Sequence, residues 1–563
     1  MNASAMIITV GQAGIPGNCT TPTLAGALQK AVENPGPDEI WVTSDVQSGT
    51  YDNQHLSINS LDVDIVGGFD NCWSPSPTGR TRITGDDESP VLKIRGGGVV
   101  NLKHLEIMHG RSGSAHRGGG VDYSGRGSLV LEDVSIRNNV NGQYIDGAGG
   151  LSFEGEGGTA YLQFLDDVHI EGNYGNGAVV FGNAVLTMDG ANNTLKQNRG
   201  SGLRIESPAV ADIGASGDVF QLNETYGLEF LHFAGTTDTI ESHLYSDGLG
   251  FGGNLRGALH IDAPAHAAGL YTVCVKGVYF GQHVLTDVHP VSGAPDAAYG
   301  SLVRVTGPLA RLHMGTNCAY PPAAGTRFEG EFMYNNVMAD GKPLIAVGNS
   351  ALAIIDRATI HSNTANAVFS TNLGQPASDA GLHVYNSLVF SNTLRDDVIE
   401  ALGGAYVSAV NLTVAENGGT FGRTLLAIDA ASFGVIDSIV DQAQPLLQVE
   451  GSRAGVNVQR VLAPNRIGAS AGDVVIEGRP AFGDFFALRP TSLGVDVASD
   501  APGDAVDLYG NPRNVDTLGV PNVFGSRDLG AVELQLIDYD TIFASGLDAD
   551  AGSHDGDVPA AVE

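Results

Sequence analysis

Four stretches spell one phrase: Val134-Ser135-Ile136-Arg137-Asn138-Asn139, Val168-His169-Ile170-Glu171-Gly172-Asn173, Asn193-Thr194-Leu195-Lys196-Gln197-Asn198 and Asp218-Val219-Phe220-Gln221-Leu222-Asn223. The closing asparagines of the last three stand 25 residues apart. Each phrase places an apolar residue three positions before its asparagine (Ile136, Ile170, Leu195, Phe220), within the alternation that marks a strand with one buried face. A Gly-rich corner and a second apolar pair follow, as in Gly202-Leu203-Arg204-Ile205 and Gly227-Leu228-Glu229-Phe230. The phrase returns at Ile360 to Asn363, Val389 to Asn392, Val414 to Asn417 and, with Gln in the corner, Ile439 to Gln442.

A fixed period in the range of about 20 to 50 residues means stacked units. Strands of about 3 to 5 residues joined by Gly and Asn corners, with no helix-length segment between them, predict an all-β parallel β-helix. Apolar side chains then stack along the axis, and coils repeat every ~4.8 Å. The recurrent asparagine is expected to take the left-handed corner conformation and to bond to its counterpart one coil away, a structural role.

Composition agrees with a solenoid. Glycine makes up 77 of 563 residues, and charged residues only 16%. Lys and Arg number 29 against 63 Asp and Glu, a formal charge of −34. Such a surface argues against nucleic acid and anionic lipid as partners, and against acidic polysaccharides unless Ca²⁺ bridges the two. No cofactor is expected beyond such a calcium ion. No apolar run reaches the roughly 18 residues of a membrane span, so membrane association is expected only through a surface anchor or sorting machinery.

Cys19 and Cys72 fall near the N-terminus, and Cys274 and Cys318 in a central stretch. Their grouping predicts disulfides Cys19–Cys72 and Cys274–Cys318, and an oxidising compartment. Met1 to Met6 lacks the basic region and apolar core of a signal peptide, so an exported chain has had its native leader removed or replaced.

Residues 1–95 are read as an N-terminal cap and first coils. Leu24, Ala27, Leu28, Ala31 and Val32 have helical spacing behind Thr23, and Asn34-Pro35-Gly36-Pro37 ends the segment. Residues 96–485 form the body. Its coils are expected to be irregular over about 236–345, where the Asn phrase is lost and loops at 290–299 and 320–326 project.

Residues 24–85 resemble secreted bacterial right-handed parallel β-helix proteins of the pectin-lyase-like superfamily, which implies the right-handed form of the fold. The likeness rests on Leu24 to Ala31, on Gly49-Thr50-Tyr51, on Val66-Gly67-Gly68-Phe69-Asp70 leading into Cys72, and on Thr81-Arg82-Ile83-Thr84-Gly85. That group contains lyases, hydrolases and adhesins, so the resemblance implies a fold and an exported setting rather than one activity.

Residues 486–538 resemble the anchor-associated module that follows many secreted β-helices. The matching segments are Ser492-Leu493-Gly494-Val495-Asp496, Asp507-Leu508-Tyr509-Gly510-Asn511-Pro512-Arg513 and Arg527-Asp528-Leu529-Gly530-Ala531-Val532-Glu533. Asp507, Arg513, Asp528 and Glu533 are expected to form an ion-pair network in a closing cap. Residues 539–563 are an acidic tail, expected to be disordered or a sorting signal. Its Asp540 to Asp548 resembles the short tail of many secreted proteins of Xanthomonas-type bacteria, which implies a Gram-negative source and a secreted or cell-surface location.

Two groups of residues invite a chemical reading. Asp166-Asp167 has the adjacent carboxylates that saccharide hydrolysis uses, although a turn role is the stronger expectation. His104, His109, Arg111, His116, Arg117 and Asp122 cluster in a Gly-rich segment and are candidates for a metal or an anionic sugar. Tyr123, Tyr144 and Tyr174 are expected to be exposed stacking groups. No complete catalytic signature is present. The sequence therefore favours an adhesive, assembling or glycan-binding protein without catalysis, its partner an extracellular glycan or cell-surface component. The alternative is a glycoside hydrolase or a Ca²⁺-dependent polysaccharide lyase.

Overall fold

The computed structural model describes residues 5–11, 19–34, 36–44, 50–114, 116–143, 146–214, 217–233, 239–265, 269–315, 332–371, 379–420, 422–453, 455–500 and 505–535. Each coil of the body contributes a strand to three parallel sheets, taken in the order I, II, III along the chain. One coil shows the path. Residues 121–125 lie in sheet I, 128–132 in sheet II and 134–137 in sheet III, before the chain returns to sheet I at residue 151. Every pairing between consecutive coils in these sheets is parallel, the arrangement for which twisted strands favour right-handed crossovers.

The interior is built of rows of like side chains. In sheet II one row runs Leu102, Leu131, Phe164, Met188, Ile213, Leu244 and onward to Val458. Sheet III supplies Ile136, Ile170 and Leu195, then stacked Phe220, Phe251 and Phe280 with ring centroids 4.9 and 5.0 Å apart. All are buried.

The bend from sheet II to sheet III is a single left-handed residue: His104, Asp133, Asp167, Asn386, Asn411 and Asp437 all hold it. The corner from sheet III toward sheet I carries the amide ladder. Asn139 Nδ2 donates to Asn173 Oδ1 at 3.1 Å, Asn173 to Asn198 at 3.1 Å, and Asn198 to Asn223 at 3.1 Å. The same side chains cap backbone groups of the neighbouring coils; Asn198 Oδ1, for instance, also accepts from the Asn173 N–H. The left-handed residue is the one before the ladder asparagine, as at Asn138, Gly172, Gln197 and Leu222, and not the asparagine itself. That offset frees the amide to point inward, where it is buried.

The ladder also crosses the segment where no Asn phrase is visible. Asn254 follows Asn223, His283 takes the next rung, and Asn336 resumes before Asn363, Asn392 and Asn417. Gln442 ends the series with its amide 3.0 Å from the Asn417 backbone.

Helix Leu24–Glu33 covers the first coil. Thr23 caps it, its hydroxyl accepting from the Gly26 N–H at 3.1 Å, and Leu24, Ala27, Leu28 and Ala31 are buried. Val32, expected on the apolar face, is exposed, because it falls outside the stripe that meets the strands. Cys19 and Cys72 form a disulfide with Cα atoms 5.5 Å apart. Cys274 is also disulfide-bonded; its expected partner Cys318 lies outside the described residues.

The C-terminal segment lies along the outer side of sheet III and does not simply close the end. Leu508, Ala531 and Val532 pack on Leu388, while Leu488, Val495 and Leu529 pack on Ile439 and Leu462. The Ala531 N–H donates to Thr413 Oγ1 at 2.8 Å. Within the expected four-residue ion-pair network Arg513 and Glu533 approach to 3.8 Å, both fully buried. Asp507 and Asp528 instead accept from backbone N–H groups: Asp507 from Tyr509 and Asn511, Asp528 from Asp496 and Leu534. In a segment almost without strands, buried carboxylates satisfy the N–H groups that a ladder would otherwise pair. The acidic tail lies outside the described residues.

Candidate functional site

Charged side chains on the outer face of sheet I are buried, which the surface of a solenoid does not ordinarily produce. Alternation explains how they arise: in Leu203-Arg204-Ile205-Glu206 the apolar residues enter the core, so Arg204 and Glu206 must point outward. The same holds for Glu229 between Leu228 and Phe230, and for His260 between Leu259 and Ile261. Nine successive pairings set one outward row in register from Asp122 through Ser152, Arg204, Glu229, His260 and Arg304 to Glu400. At ~4.8 Å per coil that row spans roughly 43 Å.

Loops from sheet III to sheet I wall this face. The loop before strand Val121–Gly125 arches over it, so that the His116 ring lies 4.9 Å from Phe181 and its Nε2 3.3 Å from Glu206, side chains two and three coils onward. The loop from 282 to 301 is tied down by Arg256, whose Nε donates to the Val288 carbonyl at 2.6 Å.

Three groups follow one another along the groove. In the first, Asp122 pairs with Arg95 at 2.5 Å and with Arg117 at 3.4 Å, accepts from Ser152 Oγ at 3.1 Å, and is only 2% exposed. In the second, Arg204 lies 2.8 Å from Glu206 and 3.1 Å from Asp146, while Glu229 accepts from Ser201 Oγ at 2.7 Å and faces His260 Nδ1 at 3.4 Å. The Arg204–Glu206 approach is a charge contact without hydrogen-bond alignment. In the third, Arg423 grips Asp397 at 3.0 Å and Ser370 donates to Glu400 at 2.6 Å.

These surroundings separate the carboxyl groups. Burial raises Glu206, against the lowering effect of Arg204 and His116. Burial also works to raise Glu229, but the His260 hydrogen bond and Arg204 outweigh it, and Glu229 ends below the usual range. Burial pushes Asp397 up to about 7 and raises Glu400. Between the second and third groups lies a depression of about 450 Å³, lined by His260, Asp262, Arg304, Thr306 and Asn349 with Pro264, Ala298 and Pro308.

The structure splits the histidine cluster expected from sequence. His116, Arg117 and Asp122 meet on sheet I. His104 stands at the bend between sheets II and III, its Nδ1 2.6 Å from Asp133, which also binds Arg80. His109 and Arg111 are exposed beyond sheet III, His109 at a bend and Arg111 in the two-residue strand Arg111–Ser112. Asp166 and Asp167 lie on the same bend as His104: Asp166 accepts from the Ala191 N–H at 2.7 Å, and Asp167 is left-handed with its carbonyl accepting from Arg80. Neither faces the groove. Tyr123, expected to be exposed, is buried and stacked on Phe153 at 4.2 Å, because position 123 falls on the inward phase of its strand. Tyr174 is exposed beneath Arg199, and Tyr144 lies outside the described residues. Among the described residues no three His, Cys, Asp or Glu side chains gather as metal ligands. The groups that sequence reasoning missed, Arg204, Glu206, Glu229, His260 and Arg304, carried their signal as charged or imidazole side chains at outward positions of otherwise apolar strands.

The chain is thus a right-handed parallel β-helix with a charged groove along one sheet. Among solved structures it is similar to pectate lyase Pel9A, over 95% of this chain and 98% of that one, at 11% identity and a TM-score of 0.23. No family model matches the chain, and no curated protein matches it.

Proposed function

We propose that this is an extracellular or cell-surface protein that binds a glycan along the outer face of sheet I without transforming it. The observation that carries this reading is the continuous outward row from Asp122 to Glu400, walled by loops and repeated at coil spacing. Such a row offers hydroxyl, carboxylate and guanidinium groups at regular intervals to a repeating chain of hydroxyls. Most of its charges are answered within the protein, which suits recognition of an uncharged partner. The Cys19–Cys72 disulfide supports an oxidising, exported setting. The C-terminal module and acidic tail complete the reading as the means of attachment to a cell surface.

A glycan array with the purified chain tests this, run beside a reducing-end assay on every glycan bound. Binding without release of reducing ends supports the proposal. Absence of binding across neutral and acidic glycans overturns it.

A second reading, glycoside hydrolysis, is favoured by one observation. Glu206 is raised and Glu229 lowered on adjacent coils, the split that a general acid and a general base require. Release of reducing ends that is lost in both Glu206→Gln and Glu229→Gln would establish it.

A further inference from the structure

Arg304 forms no ion pair with a carboxylate among the described residues. It projects from strand Val303–Thr306 between His260 and Ala346 on the floor of the groove. Arg95, Arg204 and Arg423 each stand against a carboxylate, whereas Arg304 forms no ion pair among the described residues. Its Nη1 donates to the Ala297 carbonyl at 2.8 Å, and its Nε is buried without a hydrogen-bond partner. In a chain with 63 acidic and 29 basic residues, an arginine left without a counter-charge and facing a depression of about 450 Å³ is a recognition group rather than a structural one. Across the same depression, Asn349 Nδ2 donates to Thr306 Oγ1 at 2.8 Å, which leaves the hydroxyl hydrogen and the amide oxygen to meet a sugar.

We propose that the groove takes a largely neutral glycan bearing an isolated oxyanion substituent, a carboxylate or a sulfate ester, that docks on Arg304. The inference rests on the glycan-binding reading of the groove. A uniform polyanion does not fit, because its next charges would meet Asp262 one coil away and Glu206 and Glu229 beyond, under an overall charge of −34. One charge on a neutral chain finds a cation that forms no ion pair among the described residues.

The test measures affinities of the full chain for soluble glucan, galactan and mannan, each unmodified, sparsely carboxymethylated or sparsely sulfated, with polygalacturonate as the uniform polyanion. Sparse substitution of a bound glycan is expected to tighten binding roughly tenfold or more, the effect of one charge-assisted contact. Polygalacturonate is expected to bind no better than a neutral parent. Arg304→Gln should abolish the preference, so that substituted and neutral forms bind it alike; Arg304→Lys, which keeps the charge, should restore part of it. Melting curves of both variants confirm that they fold. The carboxymethyl and sulfate arms show which oxyanion is read. A preference that survives in Arg304→Gln, or polygalacturonate binding best, overturns the inference. Equal affinity for neutral and substituted forms overturns it while leaving the groove reading intact, and no binding to any probe removes both.

Discussion

His283 donates from Nδ1 to the amide oxygen of Asn336, 2.9 Å away, on a rung that asparagine fills elsewhere in the ladder. Its Nε2 faces Asn254 Nδ2 at 3.4 Å, so the neutral imidazole relays the pattern with one nitrogen donating and the other accepting. A second proton has no place there. Burial pushes the His283 pKa down to about 4, with hydrogen bonds to Asn336 and Gly281 opposing. The unfolded chain takes up its proton near pH 6.5, so stability is complete above that pH and falls as pH drops toward 4, by ~2–3 kcal/mol at pH 4.5. Hydrogen exchange corrected for intrinsic rates should show coils near residues 254, 283 and 336 opening at pH 4.5, and His283→Asn should suppress the effect.

The C-terminal module is expected to respond in the opposite sense. Burial, reinforced by Asp528, pushes Glu533 up to about 9, and burial pushes Asp528 up to about 6. Groups with raised carboxyl pKa values contribute stability below the unfolded value that is lost as pH climbs through the folded one. Protection of residues 505–535 should therefore decline as pH rises from the ordinary carboxyl range toward about 9. Glu533→Gln should flatten that profile.

Asn198→Ala removes a rung whose amide binds Asn173 and Asn223 and the Ile170 carbonyl. It leaves buried donors and acceptors unpaired and should cost ~2–4 kcal/mol. Because each coil touches only its neighbours, exchange should rise around residues 170–225 and stay unchanged near residue 400.

Gly530 sits at φ +87, where an added Cβ would lie 2.5 Å from Thr413 Oγ1 and 2.8 Å from Ile439. Gly530→Ala should cost about 1–3 kcal/mol of docking and make residues 505–535 more sensitive to protease, with the melting of the body unaffected.

The sequence shows the solenoid plainly because its rule is local: an apolar alternation, a corner and an amide, repeated. The same rule conceals the ladder between residues 223 and 363. There a histidine stands in for an asparagine, and long loops spread the rungs to separations of 29, 53 and 27 residues. The groove was harder still. Arg204, Glu229 and His260 lie inside stretches that read as strands, and only the register between coils shows that they share one face. His104 and His116 are close in sequence yet project from different corners, since the chain crosses sheet III and turns toward sheet I in the interval between them. Proximity along the chain misleads in a solenoid, where the neighbour that matters is one period away.

The lateral seat of the C-terminal module has a mechanical consequence. Tension applied beyond residue 535 does not reach the last coil first. It passes through the contacts of Ala531 with Thr413 and of Leu529 with Ile439, on coils inside the stack, and loads that seam in shear along sheet III. A tether attached there shares its pull among several coils and spares strand Val474–Glu477 at the open edge, where the stack would otherwise begin to unzip.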